Sequence, residues 1–399
     1  MSFRLFNLLL VTWVIVGCSS LKKSTDSSSA SSVDNISELN VALYPYLFEG
    51  YEKKSQSILT EMWKAKHPTV RLNFTDYNSY KTPPPANVDV FVMDALYLSS
   101  FAEKKWILPI DKASIKDKKD ILPHSLAGCL YNGQYFGIPQ FGCANILYYR
   151  KQDQDIRDSN TLEDLYRILG QANYQSQKPP KDTSLLIDLS SGTSNICWYL
   201  EAVMDQSGEY STSPKLTSPD SLDKQSLENV KKLVAMGGQK QSRKWYPQRA
   251  EWFSDGDGRA YVGFTENMFQ MKPTHLVDMS MKLIPSFNDS DVDLFFMDAA
   301  VINAQVGSSP RKIELAIDLM NLITSTAHMV RSCQNGDNAF YYMPARESIF
   351  QQLEQQYPKY SDMRKLIHSS IPKTFRLGKD AFEKINSDYK DQMEAKIFD

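Results

Sequence analysis

The chain has 399 residues, of which 42% are hydrophobic and 12% aromatic, and its 45 basic and 47 acidic side chains give a formal net charge of -2. That length and apolar share are enough to bury a large core, which excludes a disordered polymer. The even charge balance leaves no basic footprint for nucleic acid.

At the N-terminus, Arg4 precedes the apolar run Leu8 to Val16 and then Gly17-Cys18-Ser19-Ser20. This pattern predicts a signal peptide over residues 1–17, too short for a comfortable spanning helix. Ile15-Val16-Gly17-Cys18 resembles the bacterial lipobox, so Cys18 is expected to be lipidated and to become the mature N-terminus. The alternative is an ordinary secreted protein with a cysteine near its cleavage site. Residues 18–38 have too little apolar content for a core and are expected to form the anchor cysteine and a flexible tether. The chain is therefore expected to be exported, as a bacterial cell-envelope lipoprotein facing the periplasm and held to the membrane by its lipid, or as a secreted protein.

The remaining chain reads as α/β. Leu39 to Tyr46 opens as an apolar strand running into a turn, and Lys54 to His67 has helical spacing through Ile58, Leu59, Met62 and Trp63. Val70 to Phe74 and Val88 to Met93 read as strands. Gly137 to Arg150 is an apolar strand sequence that carries Cys143. Farther on, Asn160 to Gly170 predicts a helix, Leu185 to Leu189 a strand entering the Ser190 to Ser194 turn, and Ile196 to Val203 another helix. Ala260 to Thr265 and Leu294 to Ile302 read as strands, and Ser309-Pro310 begins a capped helix running to Leu322. Two closely connected lobes are expected, residues 39–145 with about 299–350 and about 146–298 with 351–399. A monomer is the default expectation.

The 5 cysteines, Cys18, Cys129, Cys143, Cys197 and Cys333, have neither zinc-module spacing nor the density of a disulfide scaffold, although one pair among Cys129, Cys197 and Cys333 is possible. The 5 histidines show no zinc-enzyme spacing, so no metal is expected, and His124 reads as structural. Asp94 and Asp298 follow strongly apolar strand sequences, where an unpaired carboxylate would be costly, with strand-end capping as the competing role. Asp89 reads as solvent-facing or paired. Tyr46 and Tyr80 could wall a flat, protonatable heteroaromatic ligand, although core packing is the ordinary use of each. Glu266 follows a strand and could accept the proton of an attacking Cys143 thiol; a cysteine in such an apolar run is otherwise a small core residue. The Ser191-Gly192-Thr193 turn offers backbone N–H groups but serves first as a turn.

Val41 to Tyr46, Asp76 to Tyr80, Asp89 to Asp94 and Gly137 to Arg150, in that order, resemble the thiaminase I (thiamine pyridinylase) family. The resemblance continues through Ser190 to Thr193, Gly258 to Glu266, Phe296 to Asp298 and Met343 to Arg346. It implies a two-lobed type II periplasmic-binding-protein-like fold with a central ligand cleft and hinge-crossing strands. Within it, Cys143 would be the nucleophile and Glu266 its activating acid, with Tyr46, Tyr80, Asp94 and Asp298 binding the pyrimidine. A further family aspartate has no secure counterpart; Asp120 lies nearby. The implied reaction is base exchange on thiamine, which is a substrate rather than a cofactor, with a small organic base or thiol as second partner. A non-catalytic, lipid-anchored thiamine receptor for a membrane transporter is the alternative.

Overall fold

The computed structural model describes residues 36–207, 222–285, 292–307, 309–374, 387 and 390–398. The signal peptide, Cys18 and nearly all of the expected tether lie outside the described residues.

In chain order the strands are β1 (Glu38–Ala42), β2 (Arg71–Phe74), β3 (Val90–Asp94), the small pair β4 (Leu130–Tyr131) and β5 (Gln134–Tyr135), β6 (Gly137–Cys143), β7 (Ile146–Arg150) and β8 (Lys181–Leu186). After these come β9 (Gly258–Gly263), β10 (Met279–Leu283), β11 (Val292–Ile302), the pair β12 (Gln334–Asn335) and β13 (Asn338–Ala339), β14 (Met343–Pro344) and β15 (Ile371–Thr374). One mixed sheet has the order β14-β6-β11-β3-β1-β2, with β15 alongside the first half of β11. A second, four-stranded sheet has the order β10-β7-β9-β8.

The first sheet places every residue of β3 in the interior. A strand flanked on both edges and covered on both faces needs a continuous apolar run, and Val90 to Met93 supplies it. Asp94 ends that run and is carried inside with it, at 9% exposure. β11 crosses between β3 and β6, antiparallel to both. Opposite the Asp298–Ala299 step, β6 skips from Phe141 to Pro139, a bulge that accommodates a proline within a paired strand and re-aims the residues leading to Cys143. Only Ala144 and Asn145 separate the end of β6 from the start of β7, so the chain passes from one sheet to the other directly beside Cys143.

Most predicted elements are present, with shifted limits. The first helix spans Glu49–Lys66 rather than starting at Lys54, and Glu49 and Glu52 in its first turn complement the positive end of the helix dipole. The strand expected over Leu185 to Leu189 is Lys181–Leu186 instead. Leu185 and Leu186 pair with Ala260 and Tyr261, after which Asp188 accepts from the Ser190 N–H at 2.9 Å and turns the chain into the helix Gly192–Ser207. Ser309 caps the helix Pro310–Ile323 by accepting from the Lys312 N–H. The possible disulfide is not formed: Cys129, Cys143, Cys197 and Cys333 are all thiols.

Candidate active site

A cavity of about 480 Å³ lies where β6 hands over to β7. It is lined by Cys143, Glu266, Tyr46, Tyr80, Asp94 and Asp298, so the fold gathers all six predicted site residues. Each arrives by a different route. Cys143 ends β6, Asp94 ends β3, and Asp298 lies within β11, which pairs Asp298 with Asp94 and Phe296 with Cys143. Residues directly opposite in an antiparallel pair project to the same face, so the two aspartates share one side of the sheet.

Glu266 comes from the second sheet. β9 ends at Gly263, and the following 3₁₀ turn Thr265–Gln270 bears Glu266 near its start. A side chain at Gly263 would force the Tyr261 ring and the Asn267 amide to move, because its Cβ would run into both. The space left open lets the Asn267 amide donate to that hydroxyl at 2.7 Å, which fixes the turn next to Glu266.

Tyr80 donates to the Asp94 Oδ2 at 2.7 Å, and the Leu96 N–H donates to Oδ1 at 2.9 Å. With its proton committed to Asp94, the Tyr80 hydroxyl accepts from Tyr44 at 2.8 Å, giving the chain Tyr44 to Tyr80 to Asp94. Tyr46 packs at the tilted ring of Tyr80, centroids 5.4 Å apart, and its hydroxyl accepts from the Asn78 amide at 3.2 Å.

Burial shapes the electrostatics. Desolvation raises Asp94 to about 6, opposed by the two hydrogen bonds it accepts. Asp298 is pushed well above the usual carboxyl range by burial and then by the Asp94 and Glu266 charges. Desolvation lifts Glu266 to about 7. The Cys143 thiol is driven well above its ordinary value, first by burial and then by Asp298, Glu266 and Asp94. The site therefore holds a neutral thiol beside a carboxyl that titrates near neutrality, an arrangement that favours proton transfer during attack over a standing thiolate.

Other residues settle elsewhere. Asp89 is paired, accepting from the Asn40 N–H at 2.9 Å and meeting Lys312 at 2.7 Å. Asp120 accepts from the N–H and hydroxyl of Ser348 at the start of the helix Glu347–Leu353, and does not line the cavity. His124 packs its ring 5.0 Å from that of Phe295, and burial lowers it to about 4, so it is neutral. Ser191, Thr193 and Ser194 do reach the cavity wall at the start of the helix Gly192–Ser207.

Sequence reasoning missed Tyr44, Cys197, Trp245, Tyr246 and Arg249, which also line the cavity. Tyr44 was detectable, since Tyr44-Pro45-Tyr46 places two tyrosines at strand alternation. Trp245 and Arg249 carried no such signal, because their segment reaches the cavity only through tertiary packing. Among the described residues no cluster of His, Cys, Asp and Glu could hold a metal ion.

Comparison with known proteins gives a consistent result. Residues 144–286 match the Thiaminase-1 domain, a segment that begins one residue after Cys143 and contains Glu266. Thiaminase-1 of Paenibacillus thiaminolyticus is 33% identical over 349 residues, covering 85% of this chain and 83% of that protein. The structure of Clostridium botulinum thiaminase I in complex with thiamin superposes with a TM-score of 0.82 at 36% identity, over 90% of this chain and 98% of that one. The maltotriose-bound maltotriose binding protein of Thermus thermophilus, at 13% identity, superposes with a TM-score of 0.63 over 90% of this chain and 94% of that one. This last likeness concerns the fold alone, a mixed α/β scaffold similar to that of solute-binding proteins.

Proposed function

The chain belongs to the thiaminase I family, and from that premise we propose how its residues carry out the reaction. It is an enzyme of thiaminase I type, which cleaves thiamine and transfers the pyrimidine half. The observation that carries the residue assignment is the convergence of a neutral thiol, Cys143, and a carboxyl raised to about 7, Glu266, on one acidic, aromatic cavity.

In this scheme, Asp94 and Asp298 hold the protonated aminopyrimidine, and Tyr46 and Tyr80 flank its ring. The Cys143 sulfur forms a bond to C6 of the pyrimidine while Glu266 takes the thiol proton. The enamine electrons of the dihydropyrimidine adduct then break the bond between the methylene carbon and the thiazolium nitrogen, and neutral thiazole leaves. A nucleophile's lone pair bonds to the exocyclic methylene. The C6–S bond then breaks, aromaticity returns, and the thiolate recovers its proton from Glu266. Cavity walls drawn from two sheets support exclusion of water, which favours transfer over hydrolysis.

The fold likeness further supports a two-lobed, hinged arrangement with a central cleft. Residues 39–145 with about 299–350 would carry most of the larger sheet, and about 146–298 with 351–399 the smaller one, apart from two strands that the ranges assign to it. β11 and β15 would count with the larger sheet, where they pair. Export and lipidation at Cys18 complete the proposal, and intact-mass analysis of the protein from a lipoprotein-processing host tests that part directly.

The catalytic assignment is tested by incubating purified protein with thiamine and pyridine and resolving products by mass. The exchange product and free thiazole should form with the native chain and fall by on the order of 10³-fold or more with Cys143→Ala or Cys143→Ser. Undiminished product from either variant would remove Cys143 from the mechanism.

A further inference from the structure

Four large hydrophobic side chains are strongly exposed among the described residues: Tyr46 at 58%, Trp245 at 70%, Phe264 at 39% and Val277 at 62%. Three of them, Tyr46, Trp245 and Phe264, line the same cavity. Isolated exposed apolar residues need no explanation, but the gathering of aromatic rings at one mouth does. Tyr46 belongs with Tyr80 and the pyrimidine end. Trp245 and Phe264 are left without a role in the scheme above.

Their backbones are held firmly although their rings face solvent. Trp245 stands between Lys244 and Tyr246, and the Arg249 guanidinium donates to the carbonyls of both, at 3.2 Å for Tyr246. Arg249 is only 3% exposed and is fixed in turn by the Gln241 side chain at 3.0 Å and by Asp188 at 3.2 Å. The guanidinium also lies over the Tyr246 ring, 5.6 Å from its centroid. Phe264 is pinned two residues before Glu266: its carbonyl accepts from the Tyr148 hydroxyl at 3.1 Å and from the Asn267 N–H at 3.2 Å. An exposed ring on an anchored backbone is pre-organised to meet a planar partner with little further ordering.

Given the transferase function proposed above, on which this rests, we propose that Trp245 and Phe264 form the acceptor subsite, the position that thiazole vacates and that a flat, neutral aromatic base then enters. The charge of the cavity supports the choice of a neutral acceptor. Asp94, Asp188, Asp298 and Glu266 all line it, and the one basic side chain on its wall among the described residues, Arg249, is committed to Asp188 and to backbone carbonyls. An alkyl amine would enter as an ammonium ion with no lone pair to donate. A weakly basic arylamine or azine remains neutral, stacks on the rings, and turns cationic only as its nitrogen bonds to the methylene carbon and the C6–S bond of Cys143 breaks. That developing positive charge is favoured by the surrounding carboxylates and by the aromatic faces.

The test compares acceptors at saturating thiamine, with kcat/KM measured for aniline, pyridine and 2-mercaptoethanol in the native chain, Trp245→Ala, Phe264→Ala and Trp245→Phe. The ratio of aromatic acceptor to thiol should fall about 10-fold or more in the two alanine variants and be largely restored in Trp245→Phe. A ratio that stays constant, whether all acceptors decline together or none does, overturns the subsite while leaving the transferase function intact. Failure of the native chain to form any exchange product overturns the transferase function itself, and the subsite with it.

Discussion

Asp298 lies directly opposite Asp94 across the antiparallel β11–β3 pair, so a half-buried and a buried carboxyl group share one face of the sheet on the wall of the cavity. Like charges on opposing strands destabilise the sheet they sit in, and burial adds to the cost. The cost is relieved when a carboxyl keeps its proton or when something positive lies between the two. A protonated aminopyrimidine meets the second condition.

The pair should therefore cost stability in the empty protein. Both carboxyls hold their protons to higher pH when folded than when unfolded. The stability due to protonation is present below the unfolded carboxyl range, near 4, and is lost as pH rises through about 6, the folded value of Asp94. Asp298→Asn should flatten that decline and stabilise the protein at pH 7.5 by on the order of 1–2 kcal/mol, a few degrees in Tm, while raising KM for thiamine. Calorimetric scans between pH 5 and 8 check it; an unchanged pH slope would show that the pair is not strained.

The hydrogen-bond chain from Tyr44 through Tyr80 to Asp94 separates the two tyrosines by role. Tyr80→Phe removes the bond to Asp94 and should raise that carboxyl further, costing about 10-fold or more in kcat/KM, as expected for a hydrogen bond to a charged group. Tyr44→Phe leaves the Asp94 contact in place and should cost only a few-fold. Equal losses in steady-state kinetics would argue against this order of dependence.

Glu266 must be ionised to accept the thiol proton, and its carboxyl is raised to about 7. Activity in kcat/KM for thiamine should therefore climb with pH and level off above about 7. Glu266→Gln should abolish that limb and slow turnover by about 10²- to 10⁴-fold. Cys143 stays a thiol throughout this window, so its alkylation by iodoacetamide at pH 7 should be slow. An acid limb that survives in Glu266→Gln would point to a different base.

Arg249 is buried among Gln241, Lys244, Tyr246 and Asp188. Arg249→Ala leaves four carbonyl or amide oxygens and a carboxylate without their donor, and should destabilise the protein by about 3–5 kcal/mol. Arg249→Lys should not recover this, because a single ammonium cannot reproduce the planar fork. Thermal unfolding of the two variants against the native chain provides the measurement.

The sequence by itself was enough for the α/β class, the order of the elements and the capped helix after Ser309, and its ordered family resemblance pointed to six residues that the fold gathers at one cavity. These depend on local alternation, on capping chemistry and on short motifs, all of which act between near neighbours in the chain. Strand limits were less legible, as at Lys181–Leu186, because a strand ends where its partner ends and not where its apolar run does. Only the tertiary structure decided that Asp298 faces Asp94, that Cys143 sits at the passage between two sheets, and that Arg249 brings Trp245 to the cavity mouth. The first joins residues about two hundred positions apart, and the other two depend on segments distant in the chain meeting at one cavity, so they are fixed by sheet register and burial, which no short stretch of sequence encodes.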